Sequence, residues 1–415
     1  MTTHLWQVLV LNQISPSGLQ RLPAPQYTLH RDTEGLGRLA VEPDAILLRS
    51  ADLHRYPIGA SVKAIARAGA GTNNIPVDAM TRRGVPVFNA PGANANAVKE
   101  LVLAGMLMAA RHLPAALRFV DGLDPSVPDL DKVVEDGKKR FAGSELAGQT
   151  LGIVGLGRIG CQVADAALAL GMQVIGYDPD ITIDAAWSLS SQVRRATTLD
   201  ELLRASNFVT LHVPLVDATR GLIDARRLAV MPEGAVLLNF SREGVVDDAA
   251  VLAALETRRL GRYVCDFPSA ALHGRDGVIA LPHLGASTRE AEDNCARMVA
   301  DQLRDYLEHG NVANAVNFPS AQMPRGTHWR LAIANVNVPN MLGQLSTAIA
   351  QAGLNIHDML NKSRGDLAYT IVDVDSEVPA QAIEAMRAID GVLAVRYLAS
   401  MRPDAIEALA NEGRY

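Results

Sequence analysis

The chain has 415 residues, 48% of them hydrophobic and 20% charged, which is ordinary for a globular protein with two or three domains. A net charge of −6 and an aromatic content of 4% argue against the basic, aromatic surface of a nucleic-acid-binding protein. Cys161, Cys265 and Cys295 are scattered without metal-ligand spacing, so we expect a reducing compartment, no disulfide framework and no metal site.

The N-terminal residues show no signal-peptide pattern, and no run of 18 apolar residues occurs anywhere. We therefore expect a cytoplasmic protein without a membrane span.

The first ninety residues predict a small α/β layer domain, because apolar strand candidates alternate there with weak helical stretches. The strand candidates are 8–11, 44–50, 62–66 and 85–89. The third leads into a glycine-rich turn, Gly69-Ala70-Gly71, which suits anion binding by backbone N–H groups.

Residues 94–112 predict a long apolar helix, with so little polar face that we expect it to be buried between domains or subunits. Residues 121–140 are polar and predict a surface segment. Lys138 and Lys139 lie in it, and a solvated pair of charges is the simpler interpretation of them.

A glycine loop organises the middle of the chain. Gly155, Gly157 and Gly160 fit G-x-G-x-x-G between an apolar strand at 150–154 and an Ala/Leu-rich helix at 161–170. The first glycine allows a tight turn, the second lets the backbone approach a pyrophosphate, and the third lets helix and strand pack closely. The helix N-terminus favours phosphate.

A second strand at 173–177 ends in Asp178, 18 residues after Gly160. An acid about 20 residues beyond the loop binds the adenosine ribose hydroxyls and would repel a 2′-phosphate. The pattern therefore favours NAD over NADP.

The βα alternation continues, with a helix at 200–206 and apolar strands at 208–214, 235–240, 263–267 and 278–281. Such continuous runs predict a doubly wound parallel sheet of six or seven strands over residues 93–286. Ligand groups should gather at the carboxyl ends of its strands, which is where His212, Arg242, Asp266 and His283 fall.

Residues 288–308 predict a long amphipathic helix that returns to the first domain, which would then comprise 1–92 and 287–322. After a linker at 319–326, the pattern changes to strand, helix, two strands, helix and strand. This βαββαβ order predicts a ferredoxin-like module at 328–402, followed by a tail at 403–415.

Two residues suggest the chemistry. Oxidation of a 2-hydroxy acid needs a base for the hydroxyl proton, and a histidine such as His283 titrates in the right range. It also needs a cation for the carboxylate and the developing carbonyl, and the Arg242 guanidinium can bind bidentately.

These motifs resemble the D-isomer-specific 2-hydroxyacid dehydrogenases over nearly the whole chain, and within that family the members that oxidise 3-phosphoglycerate. The resemblance rests on GIVGLGRIG at 152–160, YDP at 177–179, LHVPL at 211–215, NFSREGVVD at 239–247 and PHLGAST at 282–288. An ACT-type module from about residue 329 completes it.

The resemblance implies NAD-dependent oxidation of 3-phosphoglycerate to 3-phosphohydroxypyruvate, the first step of serine synthesis. It makes His283 the acid/base and Arg242 its cationic partner. The implied cofactor residues are Gly155, Gly157, Arg158, Ile159, Gly160, Asp178, His212, Val213, Phe240, Ser241, Asp266, Gly285 and Ala286. The implied substrate residues are Arg49 and Ser50 for the phosphate, Gly69, Ala70 and Gly71 for the carboxylate, and Asn94.

The chain departs from the family in one respect. The family usually supplies a glutamate, in a Glu-Pro pair about 29 residues after the arginine, to orient the histidine, and that position falls here on Ala271. His283 therefore works without this partner or borrows another carboxylate; Asp266, Glu290 and Glu292 are candidates. Without a partner, the pH profile should show an inflection near that of free imidazole, ~6.5.

ACT-type modules usually bind amino acids, which implies feedback by L-serine at Asn335, Asn337, Asn355 and Ile356. A module used only for assembly is the alternative. Three hypotheses for the function of the whole chain remain. It oxidises 3-phosphoglycerate, it is a dehydrogenase for another 2-hydroxy acid such as glyoxylate, hydroxypyruvate or 2-oxoglutarate, or it is a non-catalytic NAD-sensing protein. The family resemblance also implies a homodimer or homotetramer.

Overall fold

The computed structural model describes residues 5–32 and 42–399. They divide into two compact units. Unit 1 comprises Met1–Ala93 and Glu292–Tyr415, and unit 2 is Asn94–Ala291. The predicted tail at 403–415 lies outside the described residues. The predicted division into three domains stays a prediction.

The first part of unit 1 alternates short strands and helices. They are β1 Trp6–Leu11, α1 Pro16–Leu19, β2 Tyr27–Asp32, β3 Ala45–Leu48, β4 Ala64–Arg67, α2 Val77–Arg82 and β5 Val87–Phe88. The strands form one parallel sheet in the order β2-β1-β3-β4-β5. β3 is buried along its whole length, as its apolar sequence predicts.

Unit 2 continues the βα alternation. Its helices are α3 Ala95–Ala110, α4 Leu113–Asp121, α5 Leu130–Gly137, α6 Arg158–Ala169, α7 Ile183–Ser188, α8 Leu199–Ala205, α9 Ala225–Val230 and α10 Asp248–Glu256. Its strands are β6 Thr150–Val154, β7 Gln173–Tyr177, β8 Arg194–Arg195, β9 Phe208–Leu211, β10 Ala235–Asn239, β11 Leu260–Cys265 and β12 Val278–Ala280.

These strands form a parallel sheet in the order β12-β11-β10-β9-β6-β7-β8. The chain order reverses between β6 and β9, so a crevice opens beyond their carboxyl ends, where such sheets bind ligands. The predicted doubly wound α/β fold is confirmed, with seven strands. Both faces of the sheet are covered, because two separate buried clusters lie against it.

The predicted long helix forms as α3, and its Val102 and Met106 are fully buried. α4 and α5 were not predicted, and neither buries a residue. Lys138 and Lys139 form exposed ion pairs with acids three residues earlier, as expected of a solvated face. No single helix in the described part of the chain is long and apolar enough to cross a membrane; α3 and α4 reach that length only together, across a 68° bend.

The second part of unit 1 begins within a long helix, whose first three residues still belong to unit 2, and continues into the antiparallel module. It consists of α11 Arg289–His309, β13 Trp329–Val336, α12 Met341–Gln351, β14 Ile356–Arg364, β15 Leu367–Val374, α13 Ala380–Arg387 and β16 Val392–Ala399. The four strands pair in the order β14-β15-β13-β16. The predicted ferredoxin-like βαββαβ order is confirmed.

One buried ion pair ties this module to the end of α11. Arg330 and Asp373 are both fully buried and 2.6 Å apart. The Arg330 guanidinium also donates to the carbonyls of His309, Met323 and Pro324. Because the arginine neutralises the acid and satisfies three carbonyls, it fixes the linker to the sheet.

Candidate active site

The glycine loop joins β6 to α6 in unit 2. Gly155 has φ +94°, and a Cβ there would lie 2.6 Å from the His212 carbonyl oxygen. A Cβ on Gly160 would lie 2.1 Å from the Gly155 carbonyl oxygen. Both positions therefore require glycine, for a left-handed turn and for close helix–strand contact.

Gly157 differs from these two, since a Cβ there would meet no described atom within 4 Å. It precedes the first residue of α6, Arg158, and no side chain caps the helix. The loop thus offers open space in front of free helical N–H groups. This arrangement fits a dinucleotide pyrophosphate, which needs close backbone approach and a positive helix end.

Asp178 follows β7 and is attached to the loop. Its Oδ2 accepts a hydrogen bond from the Leu156 N–H at 2.8 Å, and its Oδ1 accepts from the Asp180 N–H at 3.0 Å. The carboxylate is half-buried and lies beside the glycine turn. It is therefore in position to accept hydrogen bonds from a ribose bound there.

We expect the substitution Asp178→Ala to weaken NAD binding by about 10- to 100-fold, because hydrogen bonds to a charged group contribute about 1.5–3 kcal/mol. NADP binding should weaken much less, since the repulsion of its 2′-phosphate disappears too. Calorimetric titration with both dinucleotides measures this. Asp180→Ala, an exposed carboxylate two residues away, should bind NAD like the wild type, and equal losses of NAD and NADP would contradict the assignment.

His212 directly follows β9, and its carbonyl lies against Gly155 of the glycine loop. Its Nε2 lies 3.0 Å from the Thr210 hydroxyl, and its Nδ1 is buried without a partner among the described residues. Burial lowers the pKa of His212 to about 3. The ring is therefore neutral at physiological pH and cannot be the group that takes the substrate proton.

This shift predicts an acid-sensitive fold. Between pH 6.5 and 3 the unfolded chain protonates His212 and the folded chain does not, so stability falls as the pH drops below about 6.5. By pH 5 the loss amounts to about 2 kcal/mol. In urea unfolding, the free energy of unfolding should fall more between pH 7 and pH 5 for the wild type than for His212→Gln. An equal fall in the two proteins would contradict this prediction.

Arg242 lies in a loop after β10 that Asn239 shapes. The buried Asn239 side chain accepts from both the backbone N–H and the hydroxyl of Ser241, and it donates to the Arg242 carbonyl. The asparagine thus closes a turn of the kind that Asn favours. The Arg242 side chain is exposed, and its Nη1 donates to the Ser241 carbonyl at 2.6 Å.

Asp266, at the end of β11, fixes the turn that carries His283. Its two carboxylate oxygens accept from the N–H groups of Leu284 and Gly285, both at 2.7 Å, and its carbonyl accepts from the His283 N–H at 3.1 Å. Burial raises the pKa of Asp266, and the two N–H bonds partly oppose this. His283 itself is exposed, with φ +57°.

Hydrogen bonds connect the arginine loop with the histidine turn. The Asp266 N–H donates to the Asn239 carbonyl, and β10 and β11 are neighbouring strands. Arg242 and His283 therefore follow the same edge of the sheet, as predicted.

The other predicted cofactor residues line this edge in different ways. Phe240 is buried, its ring close to Gly105 of α3, so only its backbone could reach a ligand. Ser241 and Gly285 are also buried. Arg158 is exposed, whereas Val213, Ile159 and Ala286 are half-buried.

Five of the predicted substrate residues lie in unit 1, and Asn94 lies in unit 2. Arg49 follows β3, and its Nη2 forms a 2.8 Å ion pair with Glu292. Glu292 was a candidate partner for His283, but here it pairs with Arg49. The Ser50 N–H donates to the Asn12 side chain, so its backbone donor is already used.

The glycine-rich turn of unit 1 is likewise held by neighbours. The Gly69 carbonyl accepts from the Ala90 N–H, and the Ala70 carbonyl accepts from the Asn89 amide at 2.6 Å. Gly71 is half-buried. Arg67, which was not predicted as a site residue, has its guanidinium against Gly69. Arg67 is the last residue of β4 and pairs in register with Leu48 of β3. Because Arg49 follows Leu48, the pairing of the two strands brings Arg67 close to Arg49.

Comparison with known proteins decides the family. Residues 103–285 match the family model for the NAD-binding domain of D-isomer specific 2-hydroxyacid dehydrogenases. D-3-phosphoglycerate dehydrogenase of Escherichia coli K12 is 33% identical over 94% of this chain and 97% of its own length.

The chain belongs to the D-isomer-specific 2-hydroxyacid dehydrogenases.

Other members of the family are longer than this chain. The Synechocystis D-3-phosphoglycerate dehydrogenase is 40% identical over 67% of this chain, which spans only 49% of that relative. A solved structure of NAD-bound 3-phosphoglycerate dehydrogenase from Entamoeba histolytica shares the fold, with a TM-score of 0.59 and 24% identity over 75% of this chain. The match to the family's NAD-binding domain and the full-length relative from Escherichia coli make the chain an NAD-dependent dehydrogenase of this family, with NAD as its cofactor.

The predicted effector residues of the C-terminal module have contrasting surroundings. Asn335 is 1% exposed, with its amide donating to the Val336 carbonyl and accepting from Thr370. Asn337 and Asn355 are exposed and Ile356 is half-buried. Asn337 donates to the Gly365 carbonyl. Asn337 and Asn355 are therefore the better placed to meet a ligand, and the effector role stays a prediction.

Proposed function

We propose that this dehydrogenase oxidises 3-phosphoglycerate to 3-phosphohydroxypyruvate, the first step of serine synthesis. The observation that carries the proposal is the sheet edge of unit 2, where Asp266, after β11, holds the turn of an exposed His283 and the neighbouring strand β10 leads into the loop of Arg242. The full-length similarity to the Escherichia coli enzyme of that name supports the choice of substrate.

Bound NAD would supply the acceptor for the hydride that leaves C2 of the substrate. The backbone of Gly157 and the N-terminus of α6 would hold its pyrophosphate, and Asp178 would hold the adenosine ribose. His212 stays neutral beside the loop, so it adds no positive charge there.

His283 takes the proton of the substrate hydroxyl, because its imidazole is exposed at this sheet edge and histidine is the side chain that most often serves as a general base. Arg242 binds the carboxylate and stabilises the carbonyl oxygen as negative charge develops on it. The O–H and C2–H bonds break, and the C=O bond forms. The proton leaves on His283.

The proposal is tested with purified protein, NAD and either 3-phosphoglycerate or unphosphorylated 2-hydroxy acids, by following NADH absorbance. We expect turnover with 3-phosphoglycerate. Turnover with none of the acids, although NAD binds, would identify a non-catalytic NAD-binding protein instead.

Substituting Arg49 by alanine should raise KM for 3-phosphoglycerate by about 10- to 100-fold with little change in kcat, because a charge-assisted contact to phosphate is lost. Glu292→Gln should lower KM, since it releases Arg49 from its ion pair. Steady-state kinetics on both variants measure these effects.

Arg55→Ala is the matched control for Arg49, because Arg55 is a cation of the same unit with an 88% exposed side chain. It should leave KM unchanged. If KM rises equally in the two arginine variants, the effect reflects net charge and Arg49 is not the phosphate ligand.

The Arg49–Glu292 pair is also the observation that favours a second candidate, an unphosphorylated 2-hydroxy acid such as glyoxylate or hydroxypyruvate. Because Glu292 already balances the charge of Arg49, the site does not need a phosphate group on the substrate. A kcat/KM for an unphosphorylated acid above that for 3-phosphoglycerate would select this alternative.

We propose feedback by L-serine at Asn337 and Asn355, because amide side chains can bind both ends of an amino acid. Calorimetric titration with L-serine tests this proposal. If the titration shows no heat and L-serine does not change the rate, the module serves only in assembly.

We also propose that subunits pair through unit 2. The exposed Leu113, Leu117 and Val120 of α4 support this, and light scattering measures the mass.

A further inference from the structure

His283 has no carboxylate partner among residues 5–32 and 42–399. No Asp or Glu oxygen in these ranges lies within 4.0 Å of its ring nitrogens. Asp266 is its nearest acid along the chain and lies close enough for its charge to interact with His283, but both oxygens of Asp266 accept hydrogen bonds from the Leu284 and Gly285 N–H groups. A base that becomes cationic during the reaction thus has no carboxylate from these ranges hydrogen-bonded to its ring.

The loop where relatives are expected to carry a glutamate is fixed by contacts of its own. Leu272 is 1% exposed and anchors the loop in the core, and the Ser269 hydroxyl donates to Asp248 at 2.7 Å. Ala271 between them is exposed. The loop therefore contributes a methyl group at the expected position.

An aromatic ring contacts the imidazole instead. The rings of Phe267 and His283 have centroids 4.9 Å apart and planes inclined at 57°, within the range of tilted aromatic pairs. Asp266 directly precedes Phe267, and its carbonyl and carboxylate hold the turn from His283 to Gly285. Asp266 thus fixes the backbone of the turn that carries His283, and the next residue along the chain supplies the ring.

Such a ring can do part of what a carboxylate does. The face of an aromatic ring is electron-rich and attracts a nearby cation, by about 0.5–1 kcal/mol at an exposed site. The ring also restricts the imidazole rotamer. A carboxylate would add a hydrogen bond, which a phenyl ring cannot.

We propose that Phe267 takes the place of the missing glutamate as the positioning residue of His283, orienting the imidazole and stabilising the imidazolium that forms when the substrate hydroxyl loses its proton. The inference rests on the proposed acid/base role of His283. It concerns hydroxy-acid oxidation whichever 2-hydroxy acid is the substrate.

The test compares Phe267→Leu, which removes the ring and keeps the bulk, with Phe267→Tyr, which keeps the ring. In Phe267→Leu we expect kcat/KM to fall by about 2- to 5-fold and the acid-side inflection of its pH profile to move down by about 0.5 pH unit. Phe267→Tyr should match the wild type in both, and NAD affinity should be unchanged in either variant.

A second readout needs no variant at position 267. In NMR spectra of the wild type, the imidazole C–H signals of His283, assigned by their loss in His283→Ala, should be displaced by the ring current relative to those of the exposed His273. The proposal is overturned if the acid-side inflection of the pH profile does not move in Phe267→Leu, or moves equally in both variants. It is also overturned if the His283 imidazole signals show no ring-current shift. A wild type without turnover would overturn the proposed function, and the ring-current measurement would still test the pair.

Discussion

Replacing His283 by alanine is expected to lower kcat/KM for hydroxy-acid oxidation by about 10²- to 10⁴-fold, the usual contribution of a general base. The loss should appear in kcat, because the histidine turn is held by Asp266 backbone and carboxylate contacts that the substitution leaves intact. NAD affinity should therefore stay at the wild-type value. Stopped-flow formation of NADH and calorimetric titration measure the two quantities.

His273→Ala is the matched control, because His273 is an exposed histidine in the preceding loop and its ring forms no hydrogen bond or ion pair with any described residue. Its activity should equal that of the wild type. If His283→Ala retains more than a tenth of the wild-type kcat, another group takes the proton and the assignment of His283 fails.

The largest stability effect is expected at Arg330. Substituting it by methionine leaves Asp373 buried without a counter-charge and removes donors from the carbonyls of His309, Met323 and Pro324. Breaking a buried pair from one side costs about 3–5 kcal/mol. The melting temperature of unit 1 should fall by on the order of 10 °C in scanning calorimetry.

Two further variants define the cause. Arg21→Gln removes an exposed ion pair of the same unit, with side chains 50% and 41% exposed, and should change stability by no more than about 0.5 kcal/mol. The double variant Arg330→Met with Asp373→Leu should recover much of the loss, because no buried charge remains. A double variant as unstable as the single one would locate the effect in the lost carbonyl contacts.

Much of the fold follows from the sequence, because hydrophobic periodicity and glycine placement act locally. The apolar runs that became β6, β9, β10 and β11 predict buried strands, and the spacing of Gly155, Gly157 and Gly160 predicts a strand-to-helix turn, in which Gly155 and Gly160 leave no room for a side chain. The βαββαβ order of the C-terminal module could also be predicted from the sequence.

The sequence does not predict elements that lack such a local signal. β2 alternates only weakly and lies at the sheet edge, where pairing with β1 defines it. α4 and α5 bury nothing within this chain, so no apolar stripe packed on a core revealed them.

For the site, the sequence alone determined which residue types are present: the glycine loop, Asp178, Arg242, His283 and the alanine at position 271. The tertiary structure alone decided their surroundings. It engages Asp266 with two backbone N–H groups, pairs Arg49 with Glu292, and brings Phe267 against His283. The physical reason is that these contacts depend on how strand ends and turns meet across the sheet edge, and the spacing of residues along the chain does not encode that.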